Sequence, residues 1–73
     1  MTQGEIAGLV GAYGWEEFFS KNPYMYSYVH KKNGRMNYYY TTGTLTVQDK
    51  NYNLTLNQKI KTLEEFESVI SCG

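Results

Sequence analysis

The sequence contains a single cysteine and a single histidine, and these two shortages exclude several kinds of site. Cys72 alone forms no disulfide within the chain, whereas small secreted folds usually carry several bridges. Cys72 and His30 together are too few for a structural zinc site, which takes four ligands. We therefore expect no metal, no cofactor, and a reducing, cytoplasmic compartment.

Long apolar segments are also missing. No run approaches the roughly 20 apolar residues that a membrane-spanning helix needs, and the N-terminus lacks a basic segment followed by an apolar one. We therefore expect a soluble protein with no membrane partner and no signal peptide. The glycosylation sequon Asn53-Leu54-Thr55 is then a chance occurrence.

Residue combinations that support catalysis are not evident either. His30 has no acid or nucleophile at a sequence spacing typical of a catalytic pair. The N-terminal glycines lack the Lys-Ser/Thr of a phosphate-binding loop. The pairs Glu16-Glu17 and Glu64-Glu65 are typical of the first turn of a helix, where the helix dipole favours acids. The sequence thus predicts that the protein is not an enzyme. A small regulatory domain cut from a larger enzyme is an alternative.

The chain is rich in tyrosine, and its acidic and basic residues occupy different segments of the sequence. It has eight tyrosines in 73 residues, enough chain for one domain spanning residues 1–73. The segment from Lys21 to Lys61 holds all seven basic residues and one acid, Asp49, for a net charge of +6. The flanks hold six glutamates, for a net −6. If the middle is sheet and the flanks are helical, the molecule has a basic side and an acidic side.

Hydrophobic periodicity predicts an α+β domain. Apolar residues recur at helical spacing over residues 5–21, and the period changes to two after Pro23. Asn33-Gly34 is a strong hairpin signal. These patterns predict a three-stranded antiparallel sheet made of two hairpins, with N-terminal helix or helices and a C-terminal helix packed on one face. The predicted strands lie at about 24–32, 35–48 and 52–58, and the predicted C-terminal helix lies at 63–71.

The two turns fix a register and thereby two sheet faces. Asn33-Gly34 as a two-residue turn pairs Tyr28 with Tyr39, and a turn near Lys50-Asn51 pairs Val47 with Leu54. The predicted core face carries Tyr24, Tyr26, Tyr28, Tyr39, Leu45, Val47, Tyr52, Leu54 and Leu56. The predicted open face carries Ser27, Val29, Lys31, Met36, Tyr38, Tyr40, Thr42, Thr44, Thr46, Gln48, Asn53, Thr55 and Asn57. A β-bulge at Gly43 would exchange the faces beyond it.

A basic hairpin tip and two tyrosines form the predicted nucleic-acid-binding site. Lys31, Lys32 and Arg35 gather three positive charges that can contact phosphates. Tyr38 and Tyr40 would offer ring faces on which unpaired bases stack. Alternatively, the tyrosines only stabilise the sheet as cross-strand pairs, and the charges only keep the tip soluble.

The segment Arg35-Met36-Asn37-Tyr38-Tyr39-Tyr40-Thr41-Thr42-Gly43-Thr44-Leu45-Thr46-Val47-Gln48 resembles the strand, Thr-Gly, strand pattern of TATA-binding-protein-like sheet domains. One such domain is the N-terminal domain of type 3 ribonuclease H. The segment is also similar to short phage and viral domains in which a helix like that at 62–70 follows. The resemblance covers residues 35–70, with Asp49 where these patterns often have glycine, and with one strand and the nuclease domain missing. It implies that the sheet contacts nucleic acid.

We therefore predict a small nucleic-acid-binding protein whose open sheet face binds single-stranded or distorted nucleic acid. The alternative is a protein-interaction module, since tyrosine also dominates protein interfaces. Such a module would be a phage-type inhibitor that docks on a protein partner, or a homodimer or larger homo-oligomer joined through the glycine-rich N-terminal region.

Overall fold

The computed structural model describes residues 2–18, 22–32 and 34–71 as an α+β fold. Its elements in chain order are α1 (Gln3–Ala12), β1 (Glu16–Phe18), β2 (Met25–His30), β3 (Gly34–Tyr39), β4 (Thr44–Gln48), β5 (Leu54–Lys59) and α2 (Leu63–Ser71). The strands form one five-stranded antiparallel sheet in the order β1-β2-β3-β4-β5. The predicted class, an antiparallel sheet with an N-terminal and a C-terminal helix, is confirmed. The predicted number of three strands is wrong.

The first additional strand, β1, lies within the segment 5–21 that the periodicity predicts as helical. α1 begins earlier than predicted because Thr2 and Glu5 form a capping box, in which the Glu5 amide donates to Thr2 Oγ1 (3.2 Å) and the Thr2 amide donates to Glu5 Oε1 (2.8 Å). α1 then ends at Ala12, and β1 pairs with β2. A strand of three residues is too short to leave a period of its own in the sequence. The predicted helical residues 19–21 lie outside the described residues.

The second additional strand arises because the predicted strand 35–48 turns back on itself. Its first part is β3, its last part is β4, and residues 40–43 form the turn between them. The Gly43 amide donates to the Tyr39 carbonyl (2.7 Å), and Gly43 has a φ of 74°, which glycine adopts without steric cost. The pattern favours a single strand here because threonine is a strand former on both sides of the glycine. Gly43 is therefore a turn residue rather than the site of a bulge.

The β2–β3 hairpin has a different register from the predicted one. Tyr28 faces Met36 instead of Tyr39, which is a slip of three residues. An odd slip transfers every side chain of one strand to the other face of the sheet. Met36 and Tyr38 are therefore core residues and do not lie on the open face.

The turn that sets this register is longer than two residues. Gly34 already belongs to β3 and pairs with His30, the last residue of β2. Asn33 itself lies outside the described residues. Asn33-Gly34 correctly predicts a hairpin at this position, but the two residues do not form the turn by themselves.

The core lies between the helices and one face of the sheet. Its buried hydrophobic residues are Ile6, Val10, Trp15, Tyr28, Met36, Tyr38, Leu45, Ile60, Phe66 and Ile70. Phe66 of α2 packs edge-on against Tyr38, with ring centroids 5.4 Å apart. α2 spans the predicted residues, and its first turn is capped because the Glu65 amide donates to Thr62 Oγ1 (3.2 Å). The prediction of this helix is confirmed.

The edge strand β5 keeps most of its predicted orientation. It pairs Val47 with Leu56 rather than with Leu54, and a shift of two residues leaves the faces unchanged. A register irregularity between Val47 and Gln48 then sets Leu54 opposite Gln48. Leu54 is consequently exposed, although the alternation predicts it in the core.

The opposite face of the sheet, here called the open face, carries polar and aromatic side chains. By strand pairing it holds Glu16, Phe18, Met25, Ser27, Val29, Arg35, Asn37, Tyr39, Thr44, Thr46, Gln48, Leu54, Asn57 and Lys59. The buried Ser27 hydroxyl at its centre donates to Asn37 Oδ1 (2.9 Å). The strands β2 and β4 thus present the predicted faces, whereas β3 is inverted.

Two buried polar atoms, Trp15 Nε1 and the Tyr28 hydroxyl, have no hydrogen-bond partner among the described residues. We expect Tyr28→Phe to increase the free energy of unfolding by about 1 kcal/mol at pH 7, because a hydroxyl buried without a partner is destabilising. Burial, together with the negative charge of Glu17, raises the pKa of Tyr28 to about 12. Since the neutral phenol is the form favoured in the fold, wild-type stability should fall as the pH rises from about 10 to 12. Chemical denaturation at pH 7 and at alkaline pH measures both effects.

The variant Tyr38→Phe is the control for this prediction. The Tyr38 hydroxyl has a partner, the carbonyl of Ile60 at 3.3 Å, so its removal should lower stability. A Tyr28→Phe protein less stable than the wild type at pH 7 would contradict the prediction.

Candidate functional site

The five residues predicted to bind nucleic acid do not share one surface. Lys31, Lys32 and Arg35 lie at one end of the β2–β3 hairpin, whereas Tyr40 follows β3 at its other end. Tyr40 lies five positions after Arg35, which in extended backbone corresponds to about 17 Å. The structure therefore brings the three cations together but does not place both tyrosines with them.

Tyr38 is a core residue. Its side chain is 5% exposed, its ring packs on Phe66, and its hydroxyl donates to the carbonyl of Ile60. Burial raises the pKa of Tyr38 above its ordinary value. No ring face is left for a base, so the prediction that Tyr38 stands on the open face is wrong. The cause is the odd register slip of β3.

Tyr40 belongs to an aromatic cluster on the helix-bearing side of the sheet. Its ring stacks on Tyr26, with centroids 4.8 Å apart and planes at 20°, and lies at a tilt 6.3 Å from Tyr24. Its hydroxyl donates to the carbonyl of Pro23 (2.6 Å). Tyr40 is 42% exposed, but side-chain alternation places it on the same side as Tyr38. Any contact it makes with a ligand is therefore separate from the open face.

The basic end of the sheet gathers cations from two loops. Lys31 and Lys32 are exposed in the loop between β2 and β3, and Arg35 follows in β3. Arg35 lies opposite Gln48, the last residue of β4, so the turn after Gln48 brings Lys50 to the same end. The sequence pattern does not predict Lys50 as a site residue.

The best-organised group on the open face is Arg35 between two aromatic rings. Its guanidinium carbon lies 5.2 Å from the ring centroid of Phe18 and 5.0 Å from that of Tyr52, within the range of a cation–π contact. Phe18 is 46% exposed and Tyr52 is 61% exposed. We call these three residues the Arg35 cluster. The rings orient the guanidinium and leave its positive charge in place.

Strand pairing and one turn assemble the Arg35 cluster. β1 contributes Phe18 from the sheet edge, and β3 holds Arg35 between Val29 of β2 and Gln48 of β4. Tyr52 comes from the turn between β4 and β5. Because the three residues are far apart in sequence, only the sheet topology brings them together.

The sequence pattern predicts Arg35 as a site residue but not Phe18 or Tyr52. Helical periodicity places Phe18 in the predicted N-terminal helical segment. Simple alternation along the third predicted strand places Tyr52 on the core face. The available signal for Tyr52 is Asp49, since aspartate is typical of the first position of a β-turn. A turn beginning at Asp49 places Tyr52 outside the strand alternation.

The turn that carries Tyr52 is built around the carboxylate of Asp49. Its Oδ1 accepts hydrogen bonds from the amides of Asn51 (2.8 Å) and Asn53 (3.0 Å), and the Asn53 contact in particular lowers the pKa of Asp49. The Tyr52 amide donates to the Asp49 carbonyl (3.0 Å), and the Asp49 amide donates to the Asn53 carbonyl (2.9 Å). These bonds hold Tyr52 at a φ of 64°, in the left-handed region.

Charge is divided between helices and strands. The sequences of α1 and α2 contain glutamates and no lysine or arginine. The sequences of β2 to β5 contain Arg35 and Lys59 and no acid. Glu16 of β1 borders the open face opposite Val29, and Asp49 lies in the turn after β4, beside Arg35. An anion approaching the sheet strands therefore meets a more favourable field than one approaching the helices.

Comparison of the chain with protein-family models, with curated proteins and with solved structures finds no match. The resemblance of residues 35–70 to TATA-binding-protein-like sheet domains thus stays a prediction. Within residues 2–18, 22–32 and 34–71, no three His, Cys, Asp or Glu side chains are placed to hold a metal ion. Neither α1 nor α2 has the length and apolar character to cross a bilayer.

Proposed function

We propose that the open face of the sheet binds single-stranded nucleic acid in the cytoplasm, with the Arg35 cluster at the centre of the site. The observation that carries the proposal is a guanidinium held between two exposed aromatic rings on the face away from the helices. This is the combination of stacking surface and cationic donor that nonspecific single-strand binders use.

Each member of the cluster has a separate task in this proposal. The exposed faces of Phe18 and Tyr52 stack on unpaired bases, which contributes about 1–3 kcal/mol per base. Arg35 donates paired N–H groups to a phosphate between those bases. Because the two rings already hold the guanidinium, less side-chain entropy is lost on binding.

The surrounding charges support the same ligand class. Lys31 and Lys32 at the hairpin tip contact further phosphates, and Lys50 lies at the same end of the sheet. The acid-bearing helices cover the other face, so a polyanion is steered toward the strands. Duplex nucleic acid would present phosphates but no free base faces, which favours an unpaired strand.

Substitution of Arg35 tests the proposal. We expect Arg35→Ala to weaken binding of a labelled single-stranded oligonucleotide about tenfold and to reduce the slope of log K against log salt by about one unit. Arg35→Lys should keep the wild-type salt slope but not the wild-type affinity. Lysine keeps the positive charge and lacks the planar guanidinium, which can donate two parallel hydrogen bonds to a phosphate. Fluorescence anisotropy titrations at several salt concentrations measure both quantities.

The matched control is Lys61→Ala, which removes one positive charge between β5 and α2. It should change affinity by less than about twofold at physiological salt, since exposed charges beyond a Debye length are screened. Equal losses from Lys61→Ala and Arg35→Ala would indicate attraction by net charge alone and contradict the proposed site. Wild-type protein without low-salt affinity for single-stranded DNA or RNA would rule out the proposed function.

A second candidate function is association with another protein chain, including a second copy, through β5. This strand pairs with β4 on one side, and no strand among the described residues pairs with its other side. An unpaired edge can accept a further strand through backbone hydrogen bonds. Light scattering combined with the anisotropy assay separates the candidates, because a dimer without affinity for oligonucleotides favours the edge-pairing function.

A further inference from the structure

The backbone of Tyr52 is unusual for its residue type. Among the described non-glycine residues, Tyr52 is the one with a positive φ, at 64°. Three-residue hairpin loops commonly end in a left-handed residue, and glycine is the usual choice there, followed by asparagine. The hydrogen bonds between Asp49 and Asn53 build a loop of this kind, so a bulky residue at position 52 strains the turn.

Nothing in the packing of Tyr52 offsets this strain fully. The side chain is 61% exposed, so its ring gains little from burial. Its contact with Arg35, at 5.0 Å, is a cation–π interaction at an exposed site, which is weak. A turn selected for stability alone would therefore carry glycine or asparagine at this position.

The residues around the Tyr52 ring indicate why a strained backbone is kept at this position. Arg35 covers one face of the ring, and the high exposure leaves area for a second partner. A groove beside the ring is lined by the two cations Arg35 and Lys50, by the ring of Tyr52, and also by Val29, His30, Gly34 and Asp49. The Asp49 carboxylate in this lining accepts hydrogen bonds from the amides of Asn51 and Asn53. The groove therefore offers one aromatic surface next to two cationic side chains.

We infer that Tyr52 is a base-stacking residue, kept in a strained backbone conformation because its ring forms the outer wall of the Arg35 cluster. The inference rests on the proposed function and specifies its ligand as a strand with at least one unpaired base. That base stacks on Tyr52, and its neighbouring phosphate lies in the groove between Arg35 and Lys50. Stacking on a ring face tolerates any base, so binding should depend weakly on sequence.

The test compares folding and binding in the same variants. Tyr52→Gly should melt at the wild-type temperature or up to about 4–8 °C above it, because glycine relieves the left-handed strain. The same variant should bind a single-stranded oligonucleotide about tenfold more weakly, because it lacks the ring. Tyr52→Phe, which keeps the ring, should bind like the wild type. Tyr24→Ala removes an exposed tyrosine on the helix-bearing side and should leave affinity unchanged.

The outcomes separate this inference from the proposed function. A Tyr52→Gly protein that melts below the wild type would show that the ring serves stability, and unchanged affinity would show that it does not contact the ligand. Either result overturns the inference and leaves Phe18 as the stacking ring of the proposed site, provided that Arg35→Ala still weakens binding. If the wild type binds no single-stranded nucleic acid, both the inference and the proposed function fail.

Discussion

Gly34→Ala should lower the free energy of unfolding by about 3 kcal/mol or more, a large share of the total for so small a domain. Gly34 has a φ of 95°, where a side chain is strained. A β-carbon at this position would meet the Gln48 carbonyl oxygen and lie 2.9 Å from the Asp49 Cα. Both obstacles are backbone atoms, so relief requires β3 and β4 to separate. Urea denaturation followed by circular dichroism measures the loss.

Gly8→Ala is the matched control for this substitution. Gly8 lies within α1, and an added β-carbon there has no neighbour within 4 Å. The same chemical change should therefore stabilise the protein by about 0.5–1 kcal/mol, since glycine is unfavourable inside a helix. Similar losses from both variants would contradict the claim that the close approach of β3 to the β4–β5 turn decides the effect at Gly34.

The close approach at Gly34 also matters for the candidate site. Because Gly34 has no side chain, the end of β4 lies directly against the start of β3. Arg35 is the next residue in β3, and Lys50 and Tyr52 follow the approached segment in the turn. A larger residue at position 34 would therefore separate the two sides of the groove as well as destabilise the sheet.

The parts of the fold that the sequence predicts correctly depend on local interactions. α2 is predicted within its observed bounds because its capping threonine, Thr62, and its apolar stripe all lie within one short segment. The hairpin at Asn33-Gly34 is likewise a local signal. The error there concerns turn length, because a loop of two residues and a loop of three are both compatible with the same pair of amino acids.

The parts that the sequence does not predict depend on contacts distant along the chain. β1 is too short to be identified by its own period and exists because β2 pairs with it. The sequence pattern predicts strand for the turn at 40–43, because only Gly43 interrupts a run of strand-forming residues. A missed turn and a slipped register each change which face a residue occupies, so small local errors invert whole strands.

The candidate site is likewise predicted only where its residues lie within one short segment of the chain. Arg35 is predicted because a cation after a hairpin turn is visible in one chain segment. Phe18 and Tyr52 require the complete strand order, since they reach Arg35 from β1 and from the β4–β5 turn. The inverted β3 explains why Arg35 lies on the open face while Tyr38 does not.

Tyr38→Ala should lower the free energy of unfolding by about 3–5 kcal/mol, the cost of truncating a buried aromatic residue. Its ring lies under α2 against Phe66, so alanine would leave a cavity between helix and sheet. Had Tyr38 been a surface stacking residue, the variant would have kept its melting temperature and lost only affinity. Thermal denaturation therefore distinguishes the two roles before any binding experiment.

Tyr38→Phe makes this distinction sharper because it keeps the ring and removes only the hydroxyl. We expect a loss of about 1 kcal/mol, from the hydrogen bond to the Ile60 carbonyl, and wild-type affinity for single-stranded oligonucleotides. Tyr40→Ala should cost less than Tyr38→Ala, because Tyr40 is partly exposed and packs mainly on Tyr26. If Tyr38→Phe instead weakened binding while the fold stayed intact, the hydroxyl of Tyr38 would have to reach the ligand. The register of β3, and with it the assignment of the open face, would then be wrong.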